Sequence, residues 1–171
     1  MHFLLEIENF LSEEECKKFM EMIDYDPKKK YVEKGELTKY WRVIWDNKEF
    51  ADELFKRLKD GNYLPGDGKK YKCCNSVFRI AKYDSGGQFQ IHRDGQNKNE
   101  CGEKTHLTLN IFLNKDFKGG ETDFFLDDKK TFRCSVKPAI GKAALFYHKQ
   151  YHCGNIVSEG EKYLLRTDVM I

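Results

Sequence analysis

The sequence has almost no net charge. Lys plus Arg number 30 against 28 Asp plus Glu in 171 residues, a balance of +2. That excludes a strongly basic nucleic-acid binder and a long acidic tail. Long apolar runs are also missing. The longest resemble Ala143-Ala144-Leu145-Phe146-Tyr147, far short of the roughly 20 residues of a membrane-spanning helix. No C-x-x-C pair occurs, which argues against a zinc ribbon or a thioredoxin-like motif. Met1-His2-Phe3-Leu4-Leu5-Glu6 lacks the basic start and apolar core of a signal peptide. A cytoplasmic location is therefore expected, with Cys16, Cys73, Cys74, Cys101, Cys134 and Cys153 as free thiols. There is no internal repeat and no low-complexity segment. Aromatics at 14% argue against disorder, and 171 residues suit one domain with a real core.

The first third reads as helical, a layer over about residues 1–65. Ser12 followed by Glu15 makes a capping box, and Cys16, Phe19, Met20 and Ile23 follow at helical spacing. A second helix fits 47–59, with Phe50, Leu54, Phe55 and Leu58 as its stripe and Asp60-Gly61 as its stop. Trp41, Arg42 and Trp45 read as an aromatic-basic cluster that packs this layer onto the rest or stacks on a peptide or ligand. Lys28-Lys29-Lys30 reads as solvated surface.

From about residue 71 to 171 the period changes to two. Val77, Ile80 and Tyr83 lie in a β-like run; Leu107, Leu109, Ile111 and Leu113 alternate with Thr108, Asn110 and Phe112. Segments 122–126, 131–136, 143–147, 153–157 and 163–171 complete the set. Asp127-Asp128-Lys129-Lys130 looks like a hairpin tip and Ser158-Glu159-Gly160 like a tight turn. No helical crossover is long enough for a βαβ sheet. The expectation is α+β: N-terminal helices supporting a mostly antiparallel sandwich or barrel.

Chemistry concentrates on the histidines. His92 and Asp94 are two apart, so on a strand they share one face and can meet one ion. They can form two corners of a 2-His-1-carboxylate triad, which holds ferrous iron and leaves positions open. The third ligand must come from a distant strand. His152 is the best candidate, with His148 and His106 as rivals. Lys162 and Arg166, four apart on the strand after it, share a face and offer cations to a dicarboxylate. Arg79 enters the same region, while Arg93 is expected to point away from the ligands on either side of it. Gln96 to Glu103 forms a polar loop suited to substrate selection.

These residues also carry a resemblance. Tyr83-Asp84-Ser85-Gly86 through His92-Arg93-Asp94-Gly95 looks like the Y-x-x-G-x-x-x-x-x-H-x-D-G segment of prolyl 4-hydroxylase-like iron(II)/2-oxoglutarate dioxygenases. Leu113-Asn114 with Phe117-Lys118-Gly119-Gly120-Glu121-Thr122 resembles their next stretch. Pro138, Gly141, Ala144-Leu145-Phe146, His152, Gly154, Val157, Gly160 and Lys162 resemble their closing pattern. The resemblance covers most of the chain and implies a double-stranded β-helix, or jelly roll. It implies His92, Asp94 and His152 as iron ligands, and Lys162 as partner of the distal carboxylate of 2-oxoglutarate. It implies that Tyr83 and Thr108 line the cosubstrate pocket; Arg166, outside the pattern, could replace or assist Lys162. The cofactors implied are Fe(II), 2-oxoglutarate and O2, with ascorbate as an accessory. The activity implied is hydroxylation of a prolyl residue in a peptide or protein. Alternatives are the same chemistry on a free amino acid, another small molecule or a nucleic-acid base. A metal-binding jelly roll without turnover is a further one, and a structural module with incidental histidines is the last.

Overall fold

A computed structural model describes residues 3–128 and 131–171. In its front part β1 (Leu4–Ile7) precedes α1 (Glu13–Tyr25), then come β2 (Lys30–Glu33), β3 (Thr38–Asp46) and α2 (Lys48–Asp60). The middle holds β4 (Cys73–Cys74), β5 (Val77–Tyr83), β6 (Gln88–His92), β7 (Thr105–Phe112), β8 (Phe117–Gly119) and β9 (Thr122–Phe125). The chain ends with β10 (Phe132–Val136), β11 (Ala143–Tyr147), β12 (Tyr151–Gly154), β13 (Val157–Gly160) and β14 (Lys162–Met170).

Both helices start as their sequences require. The Ser12 hydroxyl accepts from the Glu15 N–H at 3.1 Å, and the Glu15 carboxylate accepts from the Ser12 N–H at 2.8 Å. Asn47 caps α2 by accepting from the Phe50 N–H at 2.8 Å. These bonds satisfy N–H groups that the first helical turn leaves unpaired. Cys16, Phe19 and Ile23 of α1 and Ala51, Leu54 and Leu58 of α2 are buried.

The strands form one curled antiparallel sheet in the order β1-β11-β7-β14-β5-β3-β6-β12-β9-β10, with β2 on β3 and β4 on β14. β8 and β13 form a separate pair. β3 joins the two limbs of the long sheet, pairing over six residues with β5 but over two with β6. The far limb folds back over the first: Phe124 of β9 meets Phe146 of β11 edge-on at 4.9 Å. This is the jelly-roll arrangement.

Strand alternation then separates two cores. Leu107, Leu109 and Ile111 of β7 face the helices, together with Phe78, Ile80, Val43 and Leu165. Phe112, Tyr83, Ala81, Tyr40 and Leu164 face the inside of the roll with Phe124 and Phe146. The central strands are therefore covered on both faces, and β7 exposes almost nothing.

Two sequence expectations need correction. The front third is not a helical layer throughout, because β1, β2 and β3 lie in it. Trp41, Arg42 and Trp45 belong to β3, a nine-residue strand inside the sheet, and from it Trp45 packs the helices onto the sheet as expected, its ring 5.6 Å from Phe19 and 5.7 Å from Phe50. The inward positions of β3 are Tyr40 and Arg42, so its second face lacks the small polar residues that mark a half-exposed strand. Ser158 and Glu159 are not a tight turn; they lie in β13, paired with β8. The reversal falls just after them, where Gly160 takes φ +85° before β14 begins. The expected hairpin tip includes Lys129 and Lys130, which lie outside the described residues. Beside them, Asp127 accepts from the Thr131 N–H at 3.1 Å and from its hydroxyl at 2.9 Å.

Candidate metal and cosubstrate site

The inside of the roll encloses a cavity of about 260 Å³, and the strand register fixes what lines it. Lys162 sits opposite Tyr83, Leu164 opposite Ala81, and Arg166 opposite Arg79. On the other side of β5, Arg42 lies opposite Ala81 and Ile44 opposite Arg79. On the other side of β14, Phe112 pairs with Leu164 and Asn110 with Arg166. One end of this floor is thus aromatic with a single lysine, and the other carries arginines.

The metal-ligand candidates close over this floor. β6 and β12 pair so that His92 and His152 are direct cross-strand partners, with ring centroids 4.3 Å apart. Asp94 follows the end of β6, and its N–H donates to the His148 carbonyl at 2.9 Å. One donor atom from each of His92, Asp94 and His152 lies within 4.8 Å of the others. His92 Nε2 is 3.4 Å from Asp94 Oδ1, and His152 Nε2 is 3.7 Å from Asp94 Oδ2.

Each imidazole is set by its own strand. His92 Nδ1 is 2.8 Å from the Gln90 carbonyl, and His152 Nδ1 is 2.9 Å from the Gln150 carbonyl. A carbonyl can only accept, so both Nδ1 atoms carry the proton and both Nε2 lone pairs face the shared point. Burial pushes the His152 pKa down to about 4, against the opposing pull of Asp94. Its imidazole is therefore neutral over the ordinary pH range. Burial also works against ionisation of Asp94, but the Arg166 guanidinium beside it, with the two imidazoles in contact, outweighs it and holds the carboxyl well below its usual range. Two imidazoles that hold their protons on Nδ1 and one ionised carboxylate, with the remaining directions open to the cavity, fit ferrous iron.

Asp94 has two further partners. Arg166 Nη2 is 3.2 Å from Oδ1, and the Thr108 hydroxyl donates to Oδ2 at 2.7 Å. Thr108 was expected to line the cosubstrate pocket. It is fully buried and does not line the cavity, because its hydroxyl is turned onto the carboxylate; Asn110, two residues on, lines the cavity instead. Arg166 also pairs with buried Asp168 at 3.1 Å, so its guanidinium serves two carboxylates.

Lys162 lies at the opposite end. It is 2% exposed, and its ammonium donates to the Gly120 carbonyl at 2.6 Å. The Tyr83 and Phe112 ring centroids are 5.4 and 5.5 Å from Nζ. Burial pulls its pKa down to about 8, with Glu121 and Cys153 pulling weakly the other way. The approach needs Gly120: its φ is +72°, and a Cβ there would sit 2.8 Å from the Phe117 ring and 3.1 Å from the Lys162 side chain. Tyr83 stacks on Tyr40 at 5.1 Å, and burial raises its phenol pKa, so the ring stays neutral.

The rival histidines lie elsewhere. His106 Nδ1 is 3.2 Å from the Tyr71 hydroxyl. His148 is buried, its N–H donating to the His106 carbonyl. Arg93 does not turn wholly away: it lines the cavity mouth and lies over the Tyr151 ring at 4.9 Å. Sequence reasoning missed Tyr40 as a cavity residue and reached Arg42 only as part of an aromatic-basic cluster. Alternation along β3 carries that signal once the strand itself is recognised.

Solved structures with the same fold and a family model match this chain. A family model described as the 2OG-Fe(II) oxygenase superfamily matches residues 78–167. The viral collagen prolyl hydroxylase of Paramecium bursaria Chlorella virus-1, solved with 2-oxoglutarate, superposes with TM-score 0.70. It is 21% identical over 98% of this chain and 96% of that one. A Pseudomonas putida prolyl-4-hydroxylase gives TM-score 0.72 at 15% identity, over 99% and 93%. A Trichoplax adhaerens prolyl hydroxylase bound to a hypoxia-inducible-factor peptide fragment gives 0.70 at 15%, over 98% and 83%. A curated relative, the histone acetyltransferase type B catalytic subunit of Eremothecium gossypii, is 25% identical over 108 residues. That alignment takes in 61% of this chain but only 28% of the length of that protein.

Proposed function

This chain belongs to the 2OG-Fe(II) oxygenase superfamily, and from that premise we propose that it hydroxylates a prolyl residue in a peptide or protein. Substrate hydroxylation would be coupled to decarboxylation of 2-oxoglutarate to succinate. The single observation that carries the oxygenase reading is the convergence of His92, Asp94 and His152, with both Nε2 lone pairs aimed at one point. The prolyl substrate rests on the resemblance of the motifs and on structural neighbours that are prolyl hydroxylases.

Bound by the three ligands, iron(II) would supply dioxygen activation and the oxidative decarboxylation of 2-oxoglutarate. The chain's own residues do the rest. Gln90 and Gln150 carbonyls hold the imidazoles in register. Arg166 and Thr108 fix the Asp94 carboxylate and keep it ionised. Lys162 would meet the distal carboxylate of 2-oxoglutarate, since only one of its three N–H donors is committed to Gly120. Tyr83, Tyr40, Phe112 and Phe89 give that end of the cavity low polarity, which strengthens the ion pair and excludes water.

The reading includes a peptide or protein partner and a cytoplasmic setting. None of the six cysteines forms a disulfide, and no helix among the described residues is long and apolar enough to cross a membrane. Incubation with iron(II), 2-oxoglutarate and a proline-containing peptide library tests the proposal. The expected result is succinate formation in step with a one-oxygen mass gain on a peptide. Oxidation of free proline or another small molecule with no peptide product would contradict the prolyl-peptide reading while keeping the chemistry.

A further inference from the structure

The cavity holds more positive charge than a metal and 2-oxoglutarate require. Its lining contains six basic side chains: Lys34, Arg42, Arg79, Arg93, Lys162 and Arg166. It contains one carboxylate, Asp94, and Asp168 lies buried behind Arg166 and Arg79. A metal dication and a cosubstrate dianion cancel each other, so a surplus of four positive charges remains.

The surplus has a place. Lys162 is at the aromatic end, and Arg166 is about 13 Å away along the same strand at 3.3 Å per residue. Asp94 and Asp168 occupy Arg166. Arg79 reaches only one carboxylate oxygen, at 4.0 Å, and its buried Nη1 has no hydrogen-bond partner. Among the described residues no ion pair involves Arg42, Arg93 or Lys34. Asn110 Oδ1, on the same floor, is a buried acceptor without a donor. Lys34 and Arg93 are exposed, but Arg79 Nη1 and Asn110 Oδ1 are buried, and unpaired buried groups cost stability unless a ligand satisfies them. The charge is local, because the whole chain is only +2.

We propose that the substrate presents a carboxylate to Arg79 and Arg42 at the arginine end of the cavity, beside the N–H of an amide that Asn110 accepts. This rests on the oxygenase reading above and narrows its substrate to an acidic peptide or an N-acylated amino acid. Two guanidinium planes suit a carboxylate, which they bind through paired N–H donors. A nucleic acid fits less well, since its backbone needs a basic stripe along the surface. A groove of about 620 Å³, lined by Leu37, Phe89, Ile91 and Ile156, continues from the cavity and shares Phe89 and Gly154 with it.

The test is a calorimetric titration at low salt of the protein loaded with zinc(II) and 2-oxoglutarate. The probes are isosteric pairs: N-acetylglutamate against N-acetylglutamine, and a blocked proline–glutamate–alanine tripeptide against its glutamine form. Tetrathymidylate serves as the phosphate control. At least one carboxylate member should bind roughly tenfold or more tighter than its amide isostere, a difference of about 1.4 kcal/mol. That ratio should fall to about threefold or less in Arg79→Gln and in Arg42→Gln; the second variant keeps the test open if the first does not fold. Which pair shows the preference separates a free acid from a peptide. Equal binding within both pairs, no binding of any probe, a ratio that survives both substitutions, or tightest binding of tetrathymidylate would overturn the proposal. Failure of 2-oxoglutarate itself to bind would count against the oxygenase reading instead, and the carboxylate preference is then read on the metal-free protein.

Discussion

At one end of the cavity Lys162 stands alone, 2% exposed, between the rings of Tyr83 and Phe112. At the other end Arg166, Arg79 and Arg42 lie on neighbouring strands with Asp94 and Asp168 among them. The same strand, β14, supplies both ends. The lysine end is costly to the empty protein: burial has pulled a cation's pKa from 10.5 to about 8, and only an incoming carboxylate offsets that. The arginine end is arranged with carboxylates of its own, so its charge holds a ligand in place before anything binds. One cation is kept ready for a ligand; the others build the metal's carboxylate and leave a remainder.

The largest expected effect lies where the two ends meet. Asp94→Asn or His152→Ala should lower 2-oxoglutarate turnover on the order of 10³-fold or more, because a metal contributes several kcal/mol of stabilisation. Succinate release in the presence of iron(II) measures this. Next comes Lys162→Met. Truncating one partner of a buried charge pair costs about 2–5 kcal/mol, so 2-oxoglutarate affinity should fall roughly 100-fold. The same substitution should stabilise the empty protein at neutral pH, because the cost of the buried charge, on the order of 3 kcal/mol, exceeds what the lost hydrogen bond to the Gly120 carbonyl contributes. For a lysine whose folded pKa is depressed, the cost is full below about pH 8 and fades as pH rises towards 10.5. Urea midpoints should therefore favour Lys162→Met at pH 7 and converge above pH 8. A lower midpoint at pH 7 would contradict the account.

At the arginine end the sign reverses. Arg166→Gln leaves Asp94 without its guanidinium and Asp168 with only the more distant Arg79, so it should lower both stability and metal affinity. Thr108→Val should weaken metal binding about 10- to 100-fold, as loss of a partner to a metal ligand does. Its effect on 2-oxoglutarate affinity measured with metal saturating should be small; a large one would restore Thr108 to the cosubstrate pocket. The smallest effect is the pH dependence. As pH rises through about 8, Lys162 in the free protein loses its proton. Glu121 and Cys153 are the charged and titratable groups acting on it. Affinity for 2-oxoglutarate should fall by up to tenfold per pH unit above that point, and the dependence should vanish in Lys162→Met.

Much of this was legible in the sequence, for reasons that differ by residue. Ser12 and Glu15 announce a helix start through chemistry local to four residues. The alternation of β7 shows plainly because one face carries Leu107, Leu109 and Ile111. His92 and Asp94 are two apart on one backbone, so their convergence needs no long-range information, while His152 needs a strand pairing, to which the cations Lys162 and Arg166 after it and the motif resemblance both pointed. The strand β3 was missed because its inward face carries Tyr40 and Arg42, residues that belong to the cavity and blur the polar-apolar pattern. Thr108 was placed on the correct face of β7, but spacing along a strand says nothing about which neighbour its hydroxyl turns to. The charge surplus was hidden for a similar cause: Arg42, Arg79 and Arg166 are far apart in sequence and meet only through the β3–β5–β14 register.

The most direct measurement is the anaerobic titration of 2-oxoglutarate into the iron(II) protein, read by the weak visible charge-transfer band of the chelate. Parent, Lys162→Met and His152→Ala are compared. The account predicts a saturable band in the parent, the same band at roughly 100-fold higher 2-oxoglutarate in Lys162→Met, and none in His152→Ala. A parent without a band, or a Lys162→Met protein that titrates with the parent, would contradict it.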